Sequence, residues 1–316
     1  VVFFQLGGPD SLEAVGPFLY NLFCDPDIIQ LPLGWLLRKP LARFIVWRRM
    51  DHVRHAYEEI GGRSPIGLLT AQQARALERA LAPHADVRVV TAMRYWHPFT
   101  HEAIAQLREF PYDELVLLPL YPQYSFATTG SSLNEWKRCF QLDARPVRLV
   151  EHFFSHPQYI AALVERISLS LSRFDAQEKA TILFSAHGLP VSFIQRGDPY
   201  QKHVEETVRL VMAAGKWANR QILCYQSKVG RERWLEPSLL DTLKTCAENG
   251  HRHLLVCPVA FVTEHIETLH EINIEARAEA GHLGIEQFEM VPSLNDSPLF
   301  IAALADLVLG ACGLAR

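Results

Sequence analysis

The chain has 316 residues, of which 49% are hydrophobic, and it carries 31 basic and 35 acidic side chains. This length is typical of one large or two medium domains, and the apolar fraction is enough to bury sizeable cores. The near balance of charge excludes a nucleic-acid-binding protein that works by bulk positive charge. No run of about 18 uncharged apolar residues is present, so the sequence predicts no transmembrane helix, and no signal peptide is visible.

Strand-like and helix-like patterns alternate along the chain. The predicted strands are Val1–Leu6, Val87–Met93, Glu114–Leu118, Val147–Glu151, Thr181–Ser185, Gln221–Tyr225, His253–Pro258 and Gln287–Val291. The predicted helices are Glu13–Phe23, Ala71–Leu81, Glu102–Arg108, Ser131–Arg138, Pro157–Leu171, Gln201–Ala213, Ser238–Glu248 and Ser297–Leu309. Such alternation predicts parallel sheets with helices on both faces. Because the chain opens directly on a strand, we expect that an initiator Met and a short leading segment have been trimmed.

One segment, residues 28–50, departs from ordinary globular patterning because it mixes large apolar side chains with five cations. It is typical of a segment that lies in a membrane interface, with aliphatic and aromatic groups inward and Arg or Lys at the headgroups. A core helix with a basic flank fits the same residues, and the pattern alone leaves both interpretations open.

The most informative stretch runs from Phe261 to Glu275. On an α-helix, four of its carboxylates fall within about 80° of one another, namely Glu264, Glu267, Glu271 and Glu275. Like charges at these spacings repel by about 0.2–0.5 kcal/mol per pair, so the stripe favours contact with a cation. Together with the imidazoles of His265 and His270, it suits a hydrated divalent transition metal such as Fe²⁺. A solvated helix face is the alternative.

A second site follows the predicted strand Thr181–Ser185, where a polar loop with Gly and Pro carries His187. Ligands of open α/β sheets bind outside the carboxyl ends of the strands, so catalytic groups are expected here. A structural turn histidine is the alternative for this single residue. The run Arg196–Tyr200, with the sequence R-G-D-P-Y, and a helix-like stretch from His203 come next.

These residues resemble those of a known family. The run Leu183–Pro190 (L-F-S-A-H-G-L-P), followed by Gln195–Tyr200 (Q-R-G-D-P-Y), is similar to the signature of ferrochelatases, which insert Fe²⁺ into a porphyrin at the end of haem synthesis. Further landmarks occur in family order across nearly the whole chain: Leu6–Pro9, Gly61–Ile66, Met93–Pro98, Leu120–Ser125, Thr128–Ser132, Tyr225–Gly230, Trp234–Pro237 and the acidic stretch.

The resemblance implies an α/β fold with two Rossmann-like lobes, each a parallel sheet flanked by helices, and an active cleft between them. We place the N-terminal lobe at residues 1–146, with an apolar lip at about 28–50, and the C-terminal lobe at residues 147–316. The last helix, at about 297–312, is expected to pack back on the first lobe. No G-x-G-x-x-G run is present, so a dinucleotide is not implied.

The implied activity is insertion of Fe²⁺ into protoporphyrin IX with release of two protons. A neutral imidazole, with an ordinary pKa of about 6.5, suits proton acceptance near neutral pH, and His187 is expected to fill that role; whether it first binds the metal is left open. The resemblance makes Glu267 the essential carboxylate opposite this histidine; whether it delivers iron or relays protons outward through Glu271 and Glu275 is left open. The acidic stripe predicts Glu264 and Glu271 as further metal ligands. The resemblance also implies a π-helical segment in the acidic helix, in which Asn273 interrupts a continuous carboxylate relay.

Binding a flat macrocycle requires apolar walls that strain it and polar groups that hold its two propionates. The expected walls are Leu6, Leu31, Leu37, Tyr57, Tyr121, Phe153 and Trp234. The expected propionate anchors are Arg49, Ser64 and Lys228. Further substrate contacts are expected from Arg94, Tyr95 and His265.

The six cysteines include no C-x-x-C pair and no zinc-site spacing, so we expect reduced, mostly buried thiols. Animal-type ferrochelatases bind a [2Fe–2S] cluster through one cysteine just after Tyr-Pro-Gln-Tyr-Ser and three more in a C-terminal extension. Phe126 occupies the first of these positions here, so the resemblance does not carry the cluster over. We expect no cluster and no permanently bound cofactor, with Fe²⁺ as a substrate.

The expected partners are protoporphyrin IX and ferrous iron, with no nucleic acid. We expect a cytoplasmic protein with peripheral membrane contact through the lip, and a homodimer formed through the same apolar surface is left open. The alternatives are a coproporphyrin III ferrochelatase, a cobalt or nickel chelatase, and a non-catalytic porphyrin or haem carrier. A two-lobed solute-binding protein is disfavoured by the missing export signal.

Overall fold

The computed structural model describes residues 1–29, 33–141, 145–228 and 232–314. Residues Val1–His152 and the chain from Leu304 onward form one unit, and Phe153–Ala303 form the other. Some sequence predictions fall outside the described residues. They are Leu31 as a wall of the macrocycle site, residues 30–32 of the lip, and residues 229–230 at the end of one family landmark.

The first unit is built on a parallel four-stranded sheet with the order β2-β1-β3-β4. Its strands are β1 (Val2–Gln5), β2 (Val90–Met93), β3 (Leu115–Pro119) and β4 (Val147–Leu149). Its helices are α1 (Val15–Phe23), α2 (Gly34–Glu59), α3 (Ile66–Leu81), α4 (Thr100–Leu107) and α5 (Ser131–Cys139), with a π-helix at Phe126–Gly130 directly before α5. All four residues of β1 are buried, which is typical of a central strand in a parallel sheet whose two faces are covered.

The second unit has a parallel sheet of the same order, β6-β5-β7-β8. Its strands are β5 (Thr181–His187), β6 (Gln221–Gln226), β7 (His253–Pro258) and β8 (Gln287–Met290). The helices are α6 (Pro157–Leu171), α7 (Val191–Gln195), α8 (Tyr200–Gly215), α9 (Leu239–Glu248) and α10 (Arg277–His282), with a π-helix at Glu267–Ala276 that continues into α10. The last helix, α11 (Pro298–Cys312), contributes residues to both units.

Local sequence accounts for several of these boundaries. The apolar run at the start of β5 suits a strand that is buried on both faces. Helix α9 begins where the hydroxyl of Ser238 accepts a hydrogen bond from the backbone N–H of Asp241 at 3.1 Å, which satisfies one of the free donors of the first turn. Helix α6 begins with Pro157, whose fixed φ fits the first helical position.

All eight predicted strands are confirmed, with ends that differ by a few residues. The clearest difference is α2, one continuous helix of 26 residues, where the sequence left a membrane-interface segment and a core helix both open. Among the described residues, no helix combines the length and apolar character needed to cross a membrane. β4 pairs with β3, so residues 147–149 lie in the sheet of the first unit, past the boundary that the sequence placed at residue 146.

Leu243 and Leu240 lie on the same helix, α9, but are 0% and 49% exposed. Leu243→Ala is expected to lower the free energy of unfolding by about 2–5 kcal/mol, because it removes buried methyl groups and leaves a cavity. Leu240→Ala, the matched control, is expected to change it by less than about 0.5 kcal/mol. Urea unfolding followed by circular dichroism measures both, and equal losses in the two variants would contradict the burial of Leu243.

Candidate active site

The last residue of β5 carries the central imidazole of the site. His187 pairs with Gln226 at the end of β6, so both residues lie at the carboxyl edge of the sheet. The strand ends before Gly188, where a Cβ would lie 2.8 Å from the carbonyl oxygen of Gln226 and 3.1 Å from the ring of Trp234. Glycine allows this close approach, and it leaves the imidazole where ligands of α/β sheets bind.

The acidic stretch forms a π-helix over Glu267–Ala276, which confirms the π-helical segment expected there. Because hydrogen bonds in a π-helix join residues five apart, each turn is wider than in an α-helix. Glu267 and Glu271 lie about one such turn apart and share a hydrogen-bonding partner, Ser227. Glu275 is 47% exposed, so it is more accessible to solvent than Glu267.

The imidazole of His187 and the carboxylate of Glu267 meet at the centre of the site, with Nδ1 2.7 Å from Oε2. Their side chains are 36% and 16% exposed. Burial acts to lower the pKa of His187, but the negative charge and hydrogen bond of Glu267 outweigh it and raise the pKa above its ordinary value. Burial likewise acts to raise the pKa of Glu267, yet the charge and hydrogen bond of His187 bring it down to about 2. The two groups form an ion pair when His187 is protonated, and a hydrogen bond from Nδ1 to the ionised carboxylate when the imidazole is neutral.

Ser227, the residue after β6, links the two carboxylates. Its φ of 65° lies in the left-handed region, which is unfavourable for serine. Its hydroxyl donates to Oε2 of Glu271 and lies 3.4 Å from Oε2 of Glu267. The side-chain amide of Gln226 donates to the same oxygen of Glu271 at 3.3 Å and to the backbone carbonyl of Glu267 at 3.0 Å. Ser185 fixes the orientation of that amide by donating to its Oε1 at 2.6 Å.

The two linked carboxylates have opposite proton affinities. Burial raises the pKa of Glu271 to about 7, and the negative charge of Glu267 adds to the effect. Glu271 can therefore hold or release a proton near neutral pH, whereas Glu267 stays ionised. Neighbouring groups whose environments push their pKa values apart are typical of acid–base chemistry.

His265 lies beside the ion pair, with its Nε2 4.0 Å from Oε2 of Glu267. Its Nδ1 is 3.0 Å from the carbonyl oxygen of Thr263, so Nδ1 carries the proton and Nε2 presents a lone pair. Burial lowers the pKa of His265 below its ordinary value, although the charge of Glu267 opposes this. Glu267 thus lies between one imidazole that is readily protonated and one that is kept neutral.

Glu264 differs from the other predicted metal ligands, because both of its carboxylate oxygens accept hydrogen bonds from the protein. The hydroxyl of Thr268 donates to one at 2.6 Å, and the backbone N–H of Ser293 donates to the other at 2.8 Å. These bonds tie the start of the π-helix to the loop after β8. The role of Glu264 as a metal ligand stays a prediction.

Besides His265, three predicted substrate contacts belong to the same unit as the ion pair. Trp234 packs over the turn that follows β5 and forms an isolated bridge with Pro190. Lys228 is exposed next to Ser227. Phe153 is buried edge-on against Tyr159, with ring centroids 5.3 Å apart. The structure therefore brings Trp234 and Lys228 to the edge of the site and places Phe153 in the core of its unit.

Apart from Leu31, which lies outside the described residues, the remaining predicted contacts belong to the first unit: Leu6, Leu37, Arg49, Tyr57, Ser64, Arg94, Tyr95 and Tyr121. Tyr57 is buried on α2. The guanidinium of Arg49 lies 5.9 Å from the ring centroid of Phe23. The backbone N–H of Ser64 donates to the carbonyl of Pro9 at 2.7 Å. As contacts of the substrate, these residues stay predictions.

Asp25, which the sequence patterns did not single out, is a buried hub of the first unit. Its carboxylate accepts hydrogen bonds from the hydroxyls of Tyr95 and Ser131, both at 2.5 Å. It also forms an ion pair with the guanidinium of Arg94 at 3.1 Å. Burial raises the pKa of Tyr95 well above its ordinary value, and the charge of Asp25 adds to this. Arg94 and Tyr95 are thus held in place within their own unit.

Sequence reasoning also missed Gln226, Ser227 and Ser185 as site residues. Gln226 and Ser227 lie within a family landmark, and their position at the end of a strand beside β5 is the signal that could have found them. Among the described residues, no group of three or more His, Cys, Asp or Glu side chains is arranged to hold a metal ion. The predicted metal ligands therefore stay predictions.

Two solved structures share this fold. SirB from Bacillus subtilis, solved with Fe³⁺, has a TM-score of 0.55 at 12% sequence identity and covers 77% of this chain and 91% of its own. CbiX, the terminal enzyme for sirohaem biosynthesis in denitrifying bacteria, has a TM-score of 0.51 at 17% sequence identity. The match covers 78% of this chain and 93% of CbiX. At these identities the likeness shows the fold alone, and it defines a two-lobed α/β protein of chelatase type.

Sequence comparison defines the family. The family model described as Ferrochelatase matches residues 1–311. A ferrochelatase of Geobacter metallireducens is 49% identical over 310 residues, which are 98% of this chain and 96% of the relative. A ferrochelatase of a Picosynechococcus strain is 48% identical over 314 residues, which are 98% of this chain and 81% of the relative. The chain belongs to the ferrochelatase family.

The raised pKa of Glu271 is expected to make stability depend on pH. In the unfolded chain this carboxyl loses its proton near its ordinary pKa of 4.5, and in the folded chain at about 7. Between these values folding requires proton uptake, so the wild type loses stability as the pH rises through this window, and the loss persists above it. Glu271→Gln is expected to remove this loss, which would raise its melting temperature relative to the wild type by a few degrees.

Glu275→Gln, on the same π-helix but with an exposed side chain, is the matched control and is expected to follow the wild type. The measurement is the melting temperature of the metal-free protein from acid to mildly alkaline pH. A difference between Glu271→Gln and the wild type that stays constant over this range would contradict the raised pKa.

Proposed function

We propose that this chain inserts Fe²⁺ into protoporphyrin IX and releases two protons, as the terminal step of haem synthesis. The observation that carries the proposal is the ion pair of His187 and Glu267, found in a chain of the ferrochelatase family. Metallation of a porphyrin needs a base for the pyrrole protons and an anionic group for the incoming metal. The pair supplies both at the carboxyl edge of a sheet.

His187 is suited to accept the pyrrole protons, which Fe²⁺ must replace. Its Nδ1 donates to Glu267, which leaves Nε2 of the neutral ring as the proton acceptor. Because the charge of Glu267 raises the pKa of His187 above its ordinary value, the imidazole is a stronger base near neutral pH. This supports proton acceptance over initial metal binding as the role of His187.

Ser227 and Glu271 form a path by which the proton accepted by His187 can leave the site. The hydroxyl of Ser227 contacts the carboxylates of both Glu267 and Glu271. Glu271 has a pKa of about 7, so it can take up and release a proton near neutral pH. We infer a relay from His187 through Glu267 and Ser227 to Glu271, which returns the imidazole to its neutral form for the second proton.

Ferrous iron is a substrate, and it competes with protons for the same groups. Glu267, Glu271 and His187 supply carboxylate and imidazole ligands, which suit a divalent transition metal. Nε2 of His265 adds a further lone pair near Glu267. Glu264 is retained as a predicted ligand, although its hydrogen bonds to Thr268 and Ser293 support an anchoring role.

The porphyrin contacts are proposed from the sequence prediction and from residue type. Lys228 is exposed beside Ser227, which supports its role as an anchor for a propionate. Arg49 and Ser64 are proposed as the other anchors, with Trp234 as an apolar wall. A coproporphyrin carries four carboxylates and would require more cations, so the apolar character of the lip favours protoporphyrin IX.

Helix α2 supports peripheral membrane contact of a protein that otherwise works in the cytoplasm. Four exposed large apolar side chains of this helix fall within about 100° of one another at 100° per residue, on one stripe: Leu36, Leu37, Phe44 and Trp47. Trp47 is the most exposed, at 72%. Lys39, Arg43 and Arg48 are exposed on the same helix. An apolar stripe with flanking cations suits the interface of an anionic membrane.

Glu267→Gln is expected to lower the rate of iron insertion by about 10²–10⁴-fold, because it removes the charge that raises the pKa of His187 and interrupts the proton relay. Glu279→Gln, in the continuation of the same helix, is the matched control and is expected to stay close to the wild type. The measurement is anaerobic turnover of protoporphyrin IX with Fe²⁺, followed by the change in the Soret band, with coproporphyrin III in parallel.

Faster metallation of coproporphyrin III would make the protein a coproporphyrin ferrochelatase with the same site. Tight binding of porphyrin without metallation of either ring would contradict the enzymatic function and leave a carrier.

The wild-type protein is expected to co-sediment with anionic liposomes. The double variant Phe44→Ser, Trp47→Ser is expected to bind them at least about tenfold more weakly, because two large apolar side chains are lost from the stripe. Leu169→Ser, which changes an exposed leucine on α6, is the matched control. Absence of wild-type binding would refute membrane contact. A dimer in solution that only the double variant dissociates would assign the stripe to a homodimer interface.

A further inference from the structure

The R-G-D-P-Y run at Arg196–Tyr200 has no part in the mechanism above, yet its last residue reaches the backbone of the catalytic histidine. Tyr200 is the first residue of α8 and is buried. Its hydroxyl oxygen lies 3.0 Å from the carbonyl oxygen of His187. A phenol donates and a carbonyl accepts, so Tyr200 forms a hydrogen bond to the main chain that carries the imidazole.

The ends of the strands explain why this carbonyl requires a partner. β5 pairs with β7 only as far as Ser185, which lies opposite Pro258, but it continues to His187 beside β6. The carbonyl of Ser185 accepts from the N–H of Val259 at 3.0 Å. Carbonyls two residues apart on a strand point to the same side, so that of His187 points past the end of β7. A buried carbonyl left without a donor there would be unfavourable.

Two features fix Tyr200 in position. The carboxylate of Asp198 is buried and accepts the backbone N–H of Tyr200 at 2.9 Å, which satisfies a free donor at the start of α8. Gly197 has a φ of 94°, which side-chain-bearing residues rarely adopt. This turn allows the N–H of Asp198 to donate to the carbonyl of Phe193 at 3.1 Å. The run therefore supplies a turn, a cap and a hydrogen-bond donor in succession.

We propose that Tyr200 is a positioning residue for His187. Its hydroxyl donates the hydrogen bond that a longer β7 would have given to the carbonyl of His187. This bond fixes the peptide of His187 and so keeps the imidazole Nδ1 aligned with the carboxylate of Glu267. On the other side the chain is already held, because the N–H of Gly188 donates to the carbonyl of Gln226 at 2.8 Å. The inference rests on the proposed function, since it is the proton-accepting role of His187 that makes its orientation matter.

Tyr200→Phe removes only the hydroxyl and tests this role. Tyr159→Phe is the matched control, because Tyr159 is also buried and donates to a backbone carbonyl, that of Val259, at 3.1 Å. Both variants are expected to lose similar thermal stability. Only Tyr200→Phe is expected to lower kcat for iron insertion, by about ten- to a hundredfold, with KM for the porphyrin unchanged. Equal losses of kcat in the two variants, or none in Tyr200→Phe, would overturn the proposal.

A second readout does not depend on enzyme activity. The imidazole ¹⁵N signals of His187, assigned with His187→Gln in the metal-free and porphyrin-free protein, are expected to shift in Tyr200→Phe and to stay in place in Tyr159→Phe. Asp198→Ala, which releases the start of α8, is expected to shift the same signals. Unchanged His187 signals in Tyr200→Phe would refute positioning. If the shifts occur but the wild type does not metallate porphyrin, the proposed function fails and the positioning of His187 stands.

Discussion

The ion pair of His187 and Glu267 is the interaction on which the rest of the site depends. Burial alone disfavours the charged form of each group. The other group, 2.7 Å away, counteracts this effect: it raises the pKa of His187 and lowers that of Glu267. A buried pair of this kind is worth little unless its geometry is well maintained, and the neighbouring hydrogen bonds serve that purpose. Ser227 and Gln226 hold the acidic helix, while the sheet and Tyr200 hold the histidine.

The two units show that one scaffold can carry different chemistry. Both have the same strand order, and in both a π-helix follows the third strand of the chain order. In the second unit the amide of Gln226 donates to Glu271 at 3.3 Å. In the first unit Arg94 directly follows the corresponding strand, β2. It donates to Ser131 at 2.8 Å and pairs with the buried Asp25. The same strand order therefore supports a titratable pair of carboxylates in one unit and a buried ion-pair network in the other.

The strands and most of the helices could be predicted from the sequence, because the periodicity of apolar residues is a local property. The long α2 could not, since its apolar stripe is exposed and the internal Pro40 is unfavourable in a helix. The α-helical wheel also did not show how each carboxylate of the acidic stretch is used. Glu264, which precedes the π-helix, bonds to the loop after β8, and Glu275 is exposed.

The sequence by itself determined the fold class, the family and two of the central residues, His187 and Glu267, because short motifs with fixed spacing carry that information along the chain. Only the tertiary structure decided how these residues behave. The pKa values of Glu267 and Glu271 diverge to about 2 and about 7, although both belong to the same acidic stretch. The left-handed backbone conformation of Ser227 was likewise not predicted from the sequence and is shown only by the structure. Burial and the charges within a few ångströms set such properties, and residues about 40 to 80 positions apart meet only after folding.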